Sequence, residues 1–282
     1  MGVRNRRIGC LAVGLVLIAL IITGAVVVAR LSRDGPVLPG AQRCVATTGD
    51  SSVAVDLDQA HNVAIIAGVA VERKLAPRAV SIALATAYQE SGIHNLDYGD
   101  RDSIGLFQQR PSQGWGSAAQ ILDPYYATGK FYDALVKIDN WQTGDITDVA
   151  QKVQRSGVPN AYRDHEPDAR ILASVFTGQS AAGLSCLERS SNVGDAAALS
   201  ASVKKTFGIS RTAVSGNLVV IAAGSASRAW VVAAHMIANS GPFGVADVTV
   251  ASQQWTRDAT TVPAWTKASA PAGAGQVVIT PR

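Results

Sequence analysis

The longest apolar run occupies residues 8–29, with no charge inside it and arginines at both ends. As a helix rising ~1.5 Å per residue it extends roughly 33 Å, enough for the ~30 Å hydrocarbon core of a bilayer. Residues 1–30 are therefore expected to be a short cytoplasmic N-terminus and a single transmembrane helix. Arg4, Arg6 and Arg7 lie just before the run, which places the N-terminus inside the cell and the bulk of the chain on the extracytoplasmic side of the cell membrane. A cleaved signal peptide is the competing reading, but signal h-regions are usually only about 7–15 residues long.

Beyond this run the pattern changes. Residues 31–56 carry Gly35, Pro36, Pro39 and Gly40 and read as a linker. Helical periodicity follows. Val63, Ile66, Ala67 and Ala70 form one apolar stripe; Pro77 opens a second helix with the stripe Val80, Ala83, Leu84 and Ala87. Asp123-Pro124 marks a further helix start, Thr147 is expected to cap the next, and Ile171, Leu172 and Val175 close the set. After Cys186 a helical stretch to about residue 207 gives way to Leu218-Val-Val-Ile-Ala222, a buried-strand pattern. A helix capped by Ser225 or Ser227 and strands near 246–251 and 276–280 complete a small α/β unit. The expected architecture is a mainly α domain over residues 57–187, after the transmembrane helix, and a small α/β domain of unassigned role over residues 188–282.

Charge adds an exclusion. Of the 25 basic residues, Arg4, Arg6, Arg7 and Arg30 flank the apolar run, leaving 21 against 21 acidic residues. The exported part is neutral, so the basic footprint of a nucleic-acid binder is missing. Cys44 and Cys186 both fall outside the membrane and bracket the helical region, which suggests a disulfide in an oxidising compartment.

The candidate chemistry centres on Glu90. Steps of three, four and three along Val80, Ala83, Ala87 and Glu90 place its carboxylate on the buried stripe at the helix's last turn. Desolvation and the negative end of the helix dipole both disfavour the charged form. A carboxylic acid kept protonated is the group a departing glycosidic oxygen needs; the alternative is a glutamate that caps its helix or pairs with Arg110. Asp97, Asp100 and Asp102 follow in a turn-rich loop as candidates for a second carboxylate, with Asp102 first.

The succession Glu90-Ser91, Ser103-x-Gly105-Leu106-Phe107-Gln108 and Asp123-Pro124 resembles that of soluble lytic transglycosylases and goose-type lysozymes. It is similar above all to the lysozyme-like domains of actinobacterial cell-wall proteins. The resemblance implies a lysozyme-like domain that cleaves peptidoglycan glycan strands at MurNAc–GlcNAc linkages, with Glu90 as the catalytic acid, Ser91 supporting it, and Gly105 and Gln108 in the sugar groove. Asp102 and Tyr162 are candidate substrate-binding residues, Tyr162 because it falls near a family tyrosine that approaches the glutamate. Arg155 stands where the family has asparagine, which leaves open a second reading, a non-catalytic peptidoglycan-binding scaffold at the wall.

Other chemistries find little footing. His61, His94, His165 and His235 are scattered without a metal-ligand spacing, and the aspartates lack the calcium-loop order. No metal or other cofactor is expected. Neither a nucleophile elbow nor a nucleotide fingerprint occurs. Trp255 and Trp265 could stack on sugars, with core or edge packing the commoner use.

Overall fold

The computed structural model describes residues 40–154 and 160–282. The apolar run 8–29, with its expected span and topology, lies outside the described residues, as does Arg155. Among the described residues no helix is long and apolar enough to cross a membrane.

The expectation of a mainly α domain and a separate small α/β unit is corrected. The protein is mixed α/β, 42% helix and 19% strand, with two antiparallel sheets. The first sheet explains the difference. Strand β1 (Arg43–Thr48) pairs with β2 (Ser51–Val55) on one side and with β3 (Leu184–Leu187) on the other. Residues 43–55 fall in the expected linker, yet Cys44, Ala46, Val53 and Val55 are buried with more exposed neighbours between them, the period-two alternation of a half-buried strand. Cys44 and Cys186 sit opposite each other in the β1–β3 ladder and form a disulfide.

Between β2 and β3 runs the helical segment. Helix α1 (Leu57–Glu72) opens with a capping box: Gln59 N donates to Asp56 Oδ1 at 2.8 Å, and Asp56 N to Gln59 Oε1 at 2.9 Å. Helix α2 (Pro77–Ser91) starts on proline and ends at Gly92 in the left-handed conformation. Every residue from Ala79 to Ala87 is buried, because α2 is surrounded by α1, α4 (Pro124–Leu135), α5 (Ile146–Gln154) and α6 (Glu166–Phe176). Four alanines in α2 permit this close approach. A short helix α3 (Ala118–Ile121) precedes α4. The α5 start is fixed by Asp145, whose carboxylate accepts from Asp148 N at 3.2 Å; Thr147, expected as the cap, is buried inside the first turn.

The C-terminal part holds α7 (Ala196–Phe207), α8 (Ala226–Ala238) and a six-stranded sheet of order β4-β5-β9-β6-β7-β8. Its strands are β4 (Thr212–Ser215), β5 (Leu218–Ala222), β6 (Val245–Val250), β7 (Gln253–Thr256), β8 (Thr266–Lys267) and β9 (Gln276–Pro281). Helix α8 packs on β6 and β9 and also on α1 and α6, so one apolar helix serves both halves of the core. All described residues fall in one compact unit. Trp255 is fully buried, and its Nε1 donates to Ser185 Oγ at 2.9 Å. Trp265 Nε1 donates to Leu184 O at 2.9 Å, and its ring meets Trp230 edge-on. Both tryptophans are packing residues.

Candidate functional site

Glu90 occupies the last turn of α2, where the helix leaves the core and its end meets a cleft of about 900 Å³. Three segments line that cleft: the end of α2, the loop 100–115, and residues 134–138 together with 152–154. Local chemistry holds the loop against the helix end. The Ser91 hydroxyl reaches Leu106 O at 2.7 Å and Ala87 O at 3.1 Å. Phe107 is fully buried, stacked on Phe131 at 4.6 Å between ring centroids, and its carbonyl accepts from Gln154 Nε2 at 2.7 Å. An Ile104–Gln109 bridge closes the turn.

The electrostatics of Glu90 follow from this setting. The fully buried Tyr162 donates its hydroxyl to Glu90 Oε1 at 2.8 Å. Burial pushes the Glu90 carboxyl above its ordinary pKa; hydrogen bonds from Tyr162 and Gln154 act in the opposite direction and are outweighed. The result is an acid that holds its proton more tightly than a free glutamate while facing an open cleft.

The other sequence-derived candidates divide. Tyr162 reaches Glu90 directly, and Gln108 lines the cleft. Ser91 is buried beneath the loop as its anchor. Gly105 is buried with φ 78°, and a Cβ there would stand 2.9 Å from Ile121 O; its lack of a side chain seats the loop on α3. Asp102 does not line the cleft. Its Oδ2 accepts from Ser112 N at 2.8 Å and its Oδ1 from Arg110 Nε at 2.6 Å. The bonds from Ser112 and the pairing with Arg110 hold its carboxyl well below the usual carboxylate range. Of the three loop aspartates, Asp100 is the one that lines the cleft, so the order assigned to them from sequence is not the spatial one. Arg110 pairs with Asp102 and not with Glu90.

Among the lining residues that the sequence does not single out are Trp115, Gln154, Lys137 and Lys152. Trp115 carried a signal, since a tryptophan between two glycines in a polar loop has little core to enter. Gln154 ends the amphipathic helix α5, and only the fold shows that this end points to Glu90. Among the described residues no group of three or more His, Cys, Asp or Glu side chains could hold a metal ion.

No protein-family model matches the chain, and no curated protein is detectably similar to it in sequence.

Proposed function

We propose that the protein cleaves the glycan strands of peptidoglycan, acting at MurNAc–GlcNAc linkages with Glu90 as the proton donor. The observation that carries this reading is a largely buried carboxyl, its pKa raised by desolvation, held by a buried tyrosine at the edge of a polar cleft. The order of motifs from Glu90-Ser91 to Asp123-Pro124 supports it independently.

In this mechanism the neutral Glu90 gives its proton to the glycosidic oxygen as the C–O bond breaks. The substrate's own N-acetyl oxygen stabilises the positive charge that develops on the sugar ring, so one protein carboxyl suffices. The carboxylate then accepts a proton either from the sugar's hydroxymethyl oxygen, closing an anhydro ring, or from water. Tyr162 steadies the carboxylate formed midway, and Trp115 offers a flat apolar face to a sugar ring. The test is mass spectrometry of fragments released from purified peptidoglycan. The wild-type protein yields anhydro or hydrolysed muropeptides, and Glu90→Gln slows their release by roughly 10²–10⁴-fold, the usual worth of a general acid. Equal release by both proteins, or none by either, overturns the proposal.

A further inference from the structure

A second cavity, of about 620 Å³, opens among α1, the start of α4, α7 and the end of α8, and shares no lining residue with the Glu90 cleft. Its shape follows from spacing along α7. Leu199, Val203, Thr206 and Phe207 form the buried stripe of that helix, while Ala198, Ala201, Ser202 and Lys205, at steps of three, one and three, line the cavity. Two alanines and a serine on that stripe are too small to fill the space. Opposite them stand Ile65 on α1 and His235 and Asn239 at the end of α8. The polar groups on this inner side are matched to one another. His61 Nδ1 lies 2.5 Å from Asn239 Oδ1, Asn239 Nδ2 donates to His235 O at 2.8 Å, and Ser202 Oγ lies 3.0 Å from His235 Nε2. Burial, with a smaller push from His61, lowers the His235 pKa to about 3, so its imidazole is neutral. An apolar body can rest there without stripping a charge of its water. The rim supplies charge. The Lys205 ammonium lies 4.1 Å from the centre of the Tyr125 ring, and the Tyr125 hydroxyl is itself held by Thr206 Oγ1 at 2.8 Å. Asp123, the acidic side chain of the rim, accepts from Tyr125 N at 2.9 Å and faces the positive end of α4. A cavity of this volume, with mainly apolar walls and a few fixed polar groups, has the form of a small-molecule site.

We propose that this cavity is a second binding site, for an amphiphilic carboxylic acid whose hydrocarbon tail lies between α1, α7 and α8 and whose carboxylate meets Lys205 at the rim. The site does not draw on the Glu90 chemistry, so the two readings stand or fall separately.

Equilibrium dialysis of the full chain against radiolabelled pentanoate, hexanoate, heptanoate and octanoate tests it, with octanamide as the uncharged counterpart. Acid that dissolves in other apolar parts of the chain is removed by difference, using Ala201→Trp, which fills the cavity from an exposed position on α7. Binding specific to the wild type should strengthen by up to about fourfold with each added methylene, the worth of one buried CH₂. Octanamide should bind up to about fivefold more weakly than octanoate, as expected on losing one exposed ion pair, and Lys205→Gln should bind the two alike. Ala198→Leu, a smaller obstruction on the same stripe, should weaken octanoate binding as well, which covers the case in which the tryptophan unfolds α7. Octanoate binding that is absent, no tighter than that of pentanoate, or undiminished in the variants that fill the cavity overturns the site. Equal binding of octanoate and octanamide by the wild type overturns the carboxylate contact, and with it the ligand class.

Discussion

At the scale of single residues, the Glu90 carboxyl links stability to chemistry. A carboxyl whose pKa is raised in the fold binds its proton more tightly there than in the unfolded chain. Its contribution to stability is therefore complete below the ordinary glutamate pKa of ~4.3 and is lost as pH rises through the folded-state value. Glu90→Gln, which keeps an oxygen to accept from Tyr162, should melt higher than wild type at neutral pH, with the two curves converging at about pH 3. Thermal melts at both pH values check this; a variant less stable than wild type at neutral pH would contradict the burial argument. Tyr162→Phe acts in the other direction on the same group. It removes a donor that stabilises the anion, so the Glu90 pKa moves further up. The alkaline limb of the cleavage profile should shift to higher pH, and a shift to lower pH would mean that Tyr162 does not donate to the ionised form.

Among the secondary elements, helices were legible in the sequence where caps and spacing agreed. The start of α2 at Pro77 and of α4 at Asp123-Pro124 could be read directly. The strands were less legible. β4, β7 and β8 are two to four residues long, too short for alternation to register, and the β1–β2 hairpin is hidden beside a proline- and glycine-rich stretch. The candidate site shows the same division. Spacing along α2 placed Glu90 at the helix end, but the helix is buried on all sides, so the single-stripe argument understated how central it is. What brings Tyr162, Gln154 and the loop 100–115 to that carboxyl is tertiary packing, which no local pattern reports.

One helix contact makes the cost of such packing measurable. A Cβ on Gly68, in the middle of α1, would overlap the Thr206 methyl and come within 3.3 Å of the Phe207 ring. Thr206 is 2% exposed, and its hydroxyl bonds Tyr125 at 2.8 Å, so rotating it away breaks that bond. Alanine gains about 1 kcal/mol of helix propensity over glycine, whereas overpacking costs about 1–3 kcal/mol. Gly68→Ala should be net destabilising by up to about 2 kcal/mol in urea unfolding. A gain in stability would show that α7 yields more readily than this geometry implies.

For the molecule as a whole, the segment that carries the site depends on chain from both of its flanks. Strand β3 pairs along its length with β1, with Leu187 also bridging Asp258, the Cys44–Cys186 disulfide spans 142 residues and encloses the whole cleft, and α8 covers α1 and α6. Further along, the buried pair Glu188–Arg257, with 3.7 Å between charged atoms and side-chain exposures of 8% and 7%, ties the end of β3 to the C-terminal part. Closing a loop of the disulfide's length is worth about 2–5 kcal/mol. A fragment of residues 57–187 would lack β1, the disulfide and the cover of α8 on α1 and α6. The loop closure alone is a large share of the 5–15 kcal/mol by which a native domain is usually stable, and the lost strand pairing and helix cover add to it. The fragment is therefore expected to give a poorly dispersed proton NMR spectrum and no cooperative melt, while residues 40–282 melt in a transition that moves to lower temperature on reduction. A fragment that folds and melts cooperatively by itself would show that the site-bearing helices form an independent domain after all.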